Sequence, residues 1–189
     1  GYSLAILIPL AWMNLKGGAS IAGFTDQNLI YVTILADLVF CFFNFRPRGK
    51  AKCFAGDVGS VGVAFILVYM VGALILKTGD FTYIMLLALY GVDSVLTIVH
   101  RILLHENIGQ AHRKHVYQLM ANELKMSHVT VSVIYMIFQL AIAVGLILIP
   151  DTALWHWGYL FVVLLLLALV YVLFKKKYYH LHEEYLESL

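Results

Sequence analysis

Apolar runs broken by short polar stretches fall at residues 2 to 15, 27 to 45, 58 to 76, 81 to 99, 128 to 149 and 157 to 174. Each is long enough, or nearly so, to cross a bilayer as a helix, the open-ended element whose backbone hydrogen bonds are satisfied internally. The pattern predicts an all-α, polytopic transmembrane helix bundle of about six spans. It forms a single integral membrane domain over 1–189, with no linker and no internal repeat. The first run is short, as if its beginning lay upstream, and the chain opens Gly1-Tyr2-Ser3 without an initiator Met, so a fragment is expected. After Tyr178 the tail carries His180, His182, Glu183 and Glu184, and a short amphipathic or frayed helix is expected there.

Composition agrees with the pattern. Of 189 residues, 62% are hydrophobic and 13% charged, with a mean hydropathy of +0.85; a soluble domain would have about 45–50% apolar and about 25% charged residues. An ordinary soluble globule is thereby excluded. A net charge of +2 supports no bulk attraction to nucleic acid, and no nucleic-acid partner is expected. Cys41 lies in an apolar run and Cys53 in a basic loop, which makes neither a disulfide framework nor a metal knuckle.

Where the charges sit says more than their sum. Of thirteen Lys and Arg, all but Lys16 and Lys77 fall in the loop after span two, the loop after span four, or the tail. By the positive-inside rule the loops at about 46–57 and 100–127 and the C-terminus are expected in the cytoplasm, with residue 1 on that side. Trp155, Trp157, Tyr178 and Tyr179 stand where interfacial aromatic belts belong.

Polar residues inside the spans follow helical spacing. Thr33, Asp37 and Asn44 share a face of span two; Asp93, Thr97 and His100 share one of span four; His128, Ser132, Tyr135 and Gln139 share one of span five. A carboxylate at the bilayer centre costs about 2.5–3.5 kcal/mol, so Asp37 and Asp93 need partners or a wet cavity. Such groups either join helices by hydrogen bonds or line a path for substrate or ion.

Two loops carry candidate chemistry. Cys53-Phe54-Ala55-Gly56-Asp57-Val58-Gly59-Ser60 leads from a basic loop into span three. Its glycines allow close backbone approach, a helix start suits phosphate oxygens, and Asp57 offers the hard oxygen that Mg2+ takes together with substrate phosphates. Phe54 can offer a flat face to a base. The competing assignment is a plain helix cap by Asp57 or Ser60. The second loop holds Gln110-Ala111-His112-Arg113-Lys114-His115-Val116-Tyr117-Gln118. Arg grips phosphate bidentately and His titrates near neutral pH, so this segment is an anion-binding candidate. Metal ligation by His112 and His115 would lack an evident third protein ligand, and a basic loop resting on anionic headgroups is the blander alternative.

Taken together, these segments resemble the polyprenyl-phosphate N-acetylhexosamine-1-phosphate transferases of bacterial envelope synthesis. The matching signatures are Asn44-Phe45 ahead of Phe54-Ala55-Gly56-Asp57-Val58-Gly59-Ser60, then Gly91-Val92-Asp93-Ser94 with Thr97 and His100-Arg101, then Ala111 to Gln118, then Ser127-His128. The similarity covers roughly residues 27 to 149 and identifies the chain as the C-terminal part of a larger transferase.

The resemblance implies transfer of an N-acetylated sugar 1-phosphate from a UDP-N-acetylhexosamine to undecaprenyl phosphate, releasing UMP, as the initiating step of a glycan such as O-antigen or capsule. It implies Mg2+, with Mn2+ an alternative, held by Asp57. It gives catalytic roles to Asp57, His112, Arg113 and His115, and substrate contacts to Asn44, Phe54, Gly56, Asp93, Tyr117 and Gln118. It places the enzyme in a bacterial inner membrane, among membrane lipid, with a homodimer allowed. Tyr117 and Gln118 stand where other branches carry more histidines, which resembles the O-antigen and capsule initiators. Asn44 lies farther from Asp57 than is usual, because Arg46-Pro47-Arg48-Gly49-Lys50 holds extra residues. The family's adjacent aspartates have no counterpart here, so the 189 residues alone are expected to be inactive. The alternative function is a small transporter or channel module with Asp37 and Asp93 in its path.

Overall fold

The computed structural model describes residues 1–46, 50–110 and 113–187, with the side chains of Asp57 and 182–187 outside the description. Its helices are α1 (Tyr2–Lys16), α2 (Gly18–Ile21), α3 (Gln27–Asn44), α4 (Gly56–Thr78), a 3₁₀ segment (Phe81–Leu87) running into α5 (Ala88–Leu103), α6 (Val116–Asn122), α7 (His128–Leu148) and α8 (Ala153–Glu187). Five of the stretches are long and apolar enough to cross a membrane: Gln27–Asn44, Val58–Thr78, Phe81–Leu103, His128–Leu148 and Ala153–Leu181. With the shorter α1 they make the all-α polytopic bundle of about six spans that the hydropathy pattern predicts.

The shortest span is the most enclosed. α1 packs against α7, α3 and α4, and its Ile6, Leu7 and Leu10 are fully buried with Ile30, Met70, Leu74, Met85 and Leu86. The outer helices instead expose large apolar side chains, among them Phe42, Phe65, Leu76, Phe161 and Leu169. A contiguous apolar exterior of that kind is the surface a bilayer covers.

Boundaries follow local chemistry. Asp26 starts α3 by accepting from the Asn28 N–H at 2.9 Å, and Ser127 starts α7 by accepting from the Thr130 N–H at 3.0 Å. Gly79 ends α4 at φ 70, a left-handed cap that favours glycine. The tail is not a separate helix: α8 runs unbroken from Ala153 to Glu187, because no Gly or Pro follows Gly158 to stop it. The basic loops are correspondingly a little shorter than the hydropathy edges suggest, with α4 beginning at Gly56 and α5 reaching Leu103.

The fourth span departs from a uniform helix, and its neighbours compensate. Where the 3₁₀ segment meets α5, backbone groups need partners from outside the ladder. Gln139 of α7 supplies them: its Oε1 accepts from the Leu89 N–H at 3.2 Å and from the Tyr2 hydroxyl at 3.0 Å, and its Nε2 donates to the Met85 carbonyl at 3.2 Å. At the start of this span Asp80 accepts from the Thr82 N–H at 2.9 Å and meets His156 Nδ1 at 2.5 Å. Partial burial pushes the Asp80 carboxyl upward, but the bonds from Thr82 and His156 outweigh it and hold the group below its ordinary range.

Replacing Gln139 by Leu leaves the Leu89 N–H without its side-chain acceptor and takes one of two donors from the Met85 carbonyl, which keeps the Ala88 N–H. Each unsatisfied buried group costs about 1–3 kcal/mol, so thermal unfolding in detergent should show Gln139→Leu clearly less stable than wild type. An unchanged midpoint would contradict this role.

Candidate functional site

Asp93 is a polar group through which several helices of the bundle meet. It is 4% exposed, yet both carboxylate oxygens are satisfied. Oδ1 accepts from the Val116 N–H at 3.0 Å and from the Thr97 hydroxyl at 3.3 Å, and Oδ2 accepts from the Tyr135 hydroxyl at 3.2 Å. His115 Nδ1 lies 3.7 Å from Oδ1. Thr97 also meets the Tyr171 hydroxyl at 3.1 Å, so one carboxylate ties α5, α6 and α7 together and reaches α8 through one hydroxyl. Val116 opens α6, where the first N–H groups have no partner within the helix; Asp93 supplies one from another span.

Around this node the histidine-bearing loop is held by rings and caps. His115 stacks on Tyr117 at 5.4 Å between centroids, and Tyr117 meets Tyr90 edge-on at 5.5 Å. Gln118 turns back so that its Oε1 accepts from the His115 N–H at 3.3 Å, one half of a capping box. Burial, and then the nearby Asp93 carboxylate, push the Tyr117 phenol above its ordinary value. Tyr117 and Gln118 thus hold the loop's shape in this structure.

The loop's cations divide into two kinds. Arg101 is 3% exposed and serves as a spool: its guanidinium bonds Glu106 at 3.1 Å and the carbonyls of Asn107, Ile108 and Gln110 at 2.6, 3.3 and 3.2 Å. Lys114 pairs with Glu106, and its carbonyl receives Lys175 of α8. Lys114 holds Glu106 below the ordinary carboxylate range against the opposing effect of burial, with Arg101 adding to the lowering. Arg113 is exposed and makes no hydrogen bond or ion pair with another described residue. His112 lies outside the described residues.

The other loop returns to the end of α3. The Lys52 N–H donates to the Phe43 carbonyl at 3.0 Å and Asn44 Nδ2 donates to the Cys53 carbonyl at 2.8 Å. Asn44 thus sits against the segment that carries Phe54. Gly56, at φ 61, makes the turn into α4, a conformation that favours glycine. Phe54 is 85% exposed. Asp57 is the second residue of α4, with its carboxylate outside the described side chains. No group of three or more His, Cys, Asp or Glu is gathered as a metal cage among the described residues. A single carboxylate is too few for a cage built wholly of protein, whereas Mg2+ usually takes one or two carboxylates together with substrate phosphates and water.

Both loops lie at one end of the bundle. A Cβ on Gly1 would stand 2.8 Å from the Phe45 ring, while its neighbour Tyr2 meets Tyr90 at 4.3 Å, and Tyr90 meets Tyr117. Asp37 is also buried, and its Oδ2 has no hydrogen-bond partner among the described residues. Of the polar stripes, Asp93 with Thr97 and Tyr135 with Gln139 turn inward. His128 is exposed, and His100 instead meets Tyr179 of α8 at 4.9 Å. Sequence reasoning missed Glu106, Tyr90 and Lys175. Glu106 lies five residues from Arg101, which is no helical register, and Lys175 was one of three lysines in a row.

Compared with known proteins, the chain matches no family model, no curated protein and no solved structure.

Removing the Asp93 carboxylate should free α6. In Asp93→Leu, hydrogen exchange at the amides of 116–119 should speed up by at least about tenfold, the loss of one charge-assisted bond of about 1.5 kcal/mol or more, while amides of α1 stay protected. A second expectation concerns pH. The lowered pKa of Glu106 means its restraint on 105–114 is complete above the ordinary carboxylate value of about 4.3 and is lost as pH falls through the lowered folded-state value. Limited proteolysis of this loop should therefore accelerate on acidification, and Glu106→Gln should be cleaved readily at neutral pH with no such step.

Proposed function

We propose that this chain carries the phosphate-binding end of a membrane phosphosugar transferase. The reaction moves an N-acetylated sugar 1-phosphate from a UDP-N-acetylhexosamine to undecaprenyl phosphate, with UMP as leaving group. The observation that carries this reading is the convergence at one end of the bundle of an exposed Arg113 beside His115 and of the Phe54–Asp57 turn braced by Asn44.

An oxygen of the lipid phosphate attacks the phosphorus bearing the sugar, and the bond to the UMP oxygen breaks with its electron pair leaving on UMP. Such a displacement asks little covalent work of the protein; positioning and charge neutralisation dominate. Arg113 is suited to gripping diphosphate oxygens. His115, oriented by Asp93 and Tyr117, faces the same anions, and the exposed Phe54 ring suits the uracil. Asp57 is the residue that would hold Mg2+ or Mn2+, whose charge offsets that of the diphosphate. Under this reading the site and the C-terminus face the cytoplasm of a bacterial inner membrane, an orientation that the sorting of cations supports, and a homodimer is compatible.

A transporter using Asp37 and Asp93 receives less support, because Asp93 is committed to Val116, Thr97 and Tyr135.

The test is Mg2+-dependent exchange of labelled UMP into UDP-N-acetylhexosamines by membranes expressing the full-length gene product with undecaprenyl phosphate added. Exchange is expected with at least one sugar, and Asp57→Asn and Arg113→Ala should each lower it on the order of 100-fold. Absence of exchange with every sugar would overturn the function, and full activity of Asp57→Asn would overturn the metal assignment.

A further inference from the structure

Between the last turns of α5 and the long α8 lies a cleft of about 540 Å³. Its floor is apolar, made by Leu96, Val99 and Leu103 of α5 and Val172 of α8. Val99, Leu103 and Val172 are exposed, so the cleft opens outward from the bundle toward lipid. Its rim is cationic or titratable, with Lys175, Lys176, His100 and His180, and among the described residues no acidic side chain lines it. Lys176 and His180 are exposed, while Lys175 is buried against the Tyr171 and Tyr179 rings and donates to the Lys114 carbonyl.

The rim lysines directly follow the apolar run of α8, where the hydrocarbon region gives way to headgroups. From Leu96 to Leu103 the floor runs about 10 Å along the helix, at about 1.5 Å per residue, enough for the upper methylenes of an acyl chain. Lysine near the membrane surface attracts anionic headgroups, and a zwitterionic lipid would gain little from the same rim.

We propose that this cleft is a binding site for an anionic phospholipid of the surrounding bilayer, with its phosphate at Lys176 and His180 and one acyl chain along Leu96, Val99, Leu103 and Val172. The site is distinct from the Phe54–Asp57 turn and stands whatever reaction the protein performs. It is linked to the histidine loop all the same, since Lys175 on the rim is also the residue that holds the Lys114 carbonyl.

The experiment is native mass spectrometry of the full chain released from mixed micelles holding equal amounts of phosphatidylglycerol and phosphatidylcholine, with and without a polyprenyl monophosphate. Wild type should retain phosphatidylglycerol in clear preference. Lys176→Gln should cut that preference about fivefold, the effect of one juxtamembrane cation, and adding His180→Gln should cut it further. Leu103→Trp, which fills the cleft while leaving the rim charges, should displace the retained lipid altogether. Circular dichroism of each variant checks that the helices are intact. Equal retention of the two phospholipids by wild type, unchanged preference in the Lys176→Gln, His180→Gln double variant, or replacement of phosphatidylglycerol by the polyprenyl monophosphate would each overturn the assignment.

Discussion

A carboxylate buried among transmembrane helices is costly unless donors reach its oxygens, and Asp93 gathers donors on both of its oxygens in a way that organises one end of this bundle. Its donors come from three different elements: Thr97 from its own helix, Tyr135 from α7 and the Val116 amide from α6. The last of these is decisive for the loop. A seven-residue helix outside the hydrocarbon core has little stability of its own, and anchoring its first amide to a buried charge fixes where it starts. His115, the residue before that amide, takes its position from the same bond. Arg101 then shapes the approach to it by gathering the carbonyls of Asn107, Ile108 and Gln110 around one guanidinium.

The same requirement for satisfied backbone groups explains Gln139. The fourth span begins as a 3₁₀ segment, and its junction with α5 would be costly in a bilayer without outside partners. A single side-chain amide serves as acceptor for Leu89 and donor to Met85. The irregular backbone is therefore buried in protein, and the polar groups of α7 that face inward do structural work at two heights, Gln139 at the junction and Tyr135 at the carboxylate. The cations, meanwhile, are divided between shape and availability. Arg101 and Lys114 are consumed in folding the loop, whereas Arg113 and Lys125 are exposed.

Much of the fold was legible from periodicity and hydropathy, because a spanning helix leaves a run of about 20 apolar residues. The pairing of Asp93 with Thr97 followed from their four-residue spacing. The 3₁₀ start of the fourth span did not show, since nothing in Phe81–Leu87 marks it by composition and its support comes from a residue more than fifty positions away. The continuity of α8 was hidden by charge: Lys175 to Lys177 look like the end of a span, whereas no helix-stopping residue follows them. For the candidate site, the residue types were readable and their division of labour was not. Asn44 looked too distant from the Phe54–Asp57 turn, and the bond to the Cys53 carbonyl that brings it there depends on how the chain doubles back. Gln118 and Tyr117, expected as substrate contacts, also brace His115, a contact that spacing alone does not reveal.

The central claim is that Asp93 fixes the histidine loop relative to the Phe54–Asp57 turn. Spin labels introduced through Phe54→Cys and Arg113→Cys, in a background with Cys41→Ser and Cys53→Ser, report the separation of the two loops directly. A single narrow distance distribution is expected when Asp93 is intact, with marked broadening in Asp93→Leu. A distribution that is equally narrow in both proteins would contradict the account.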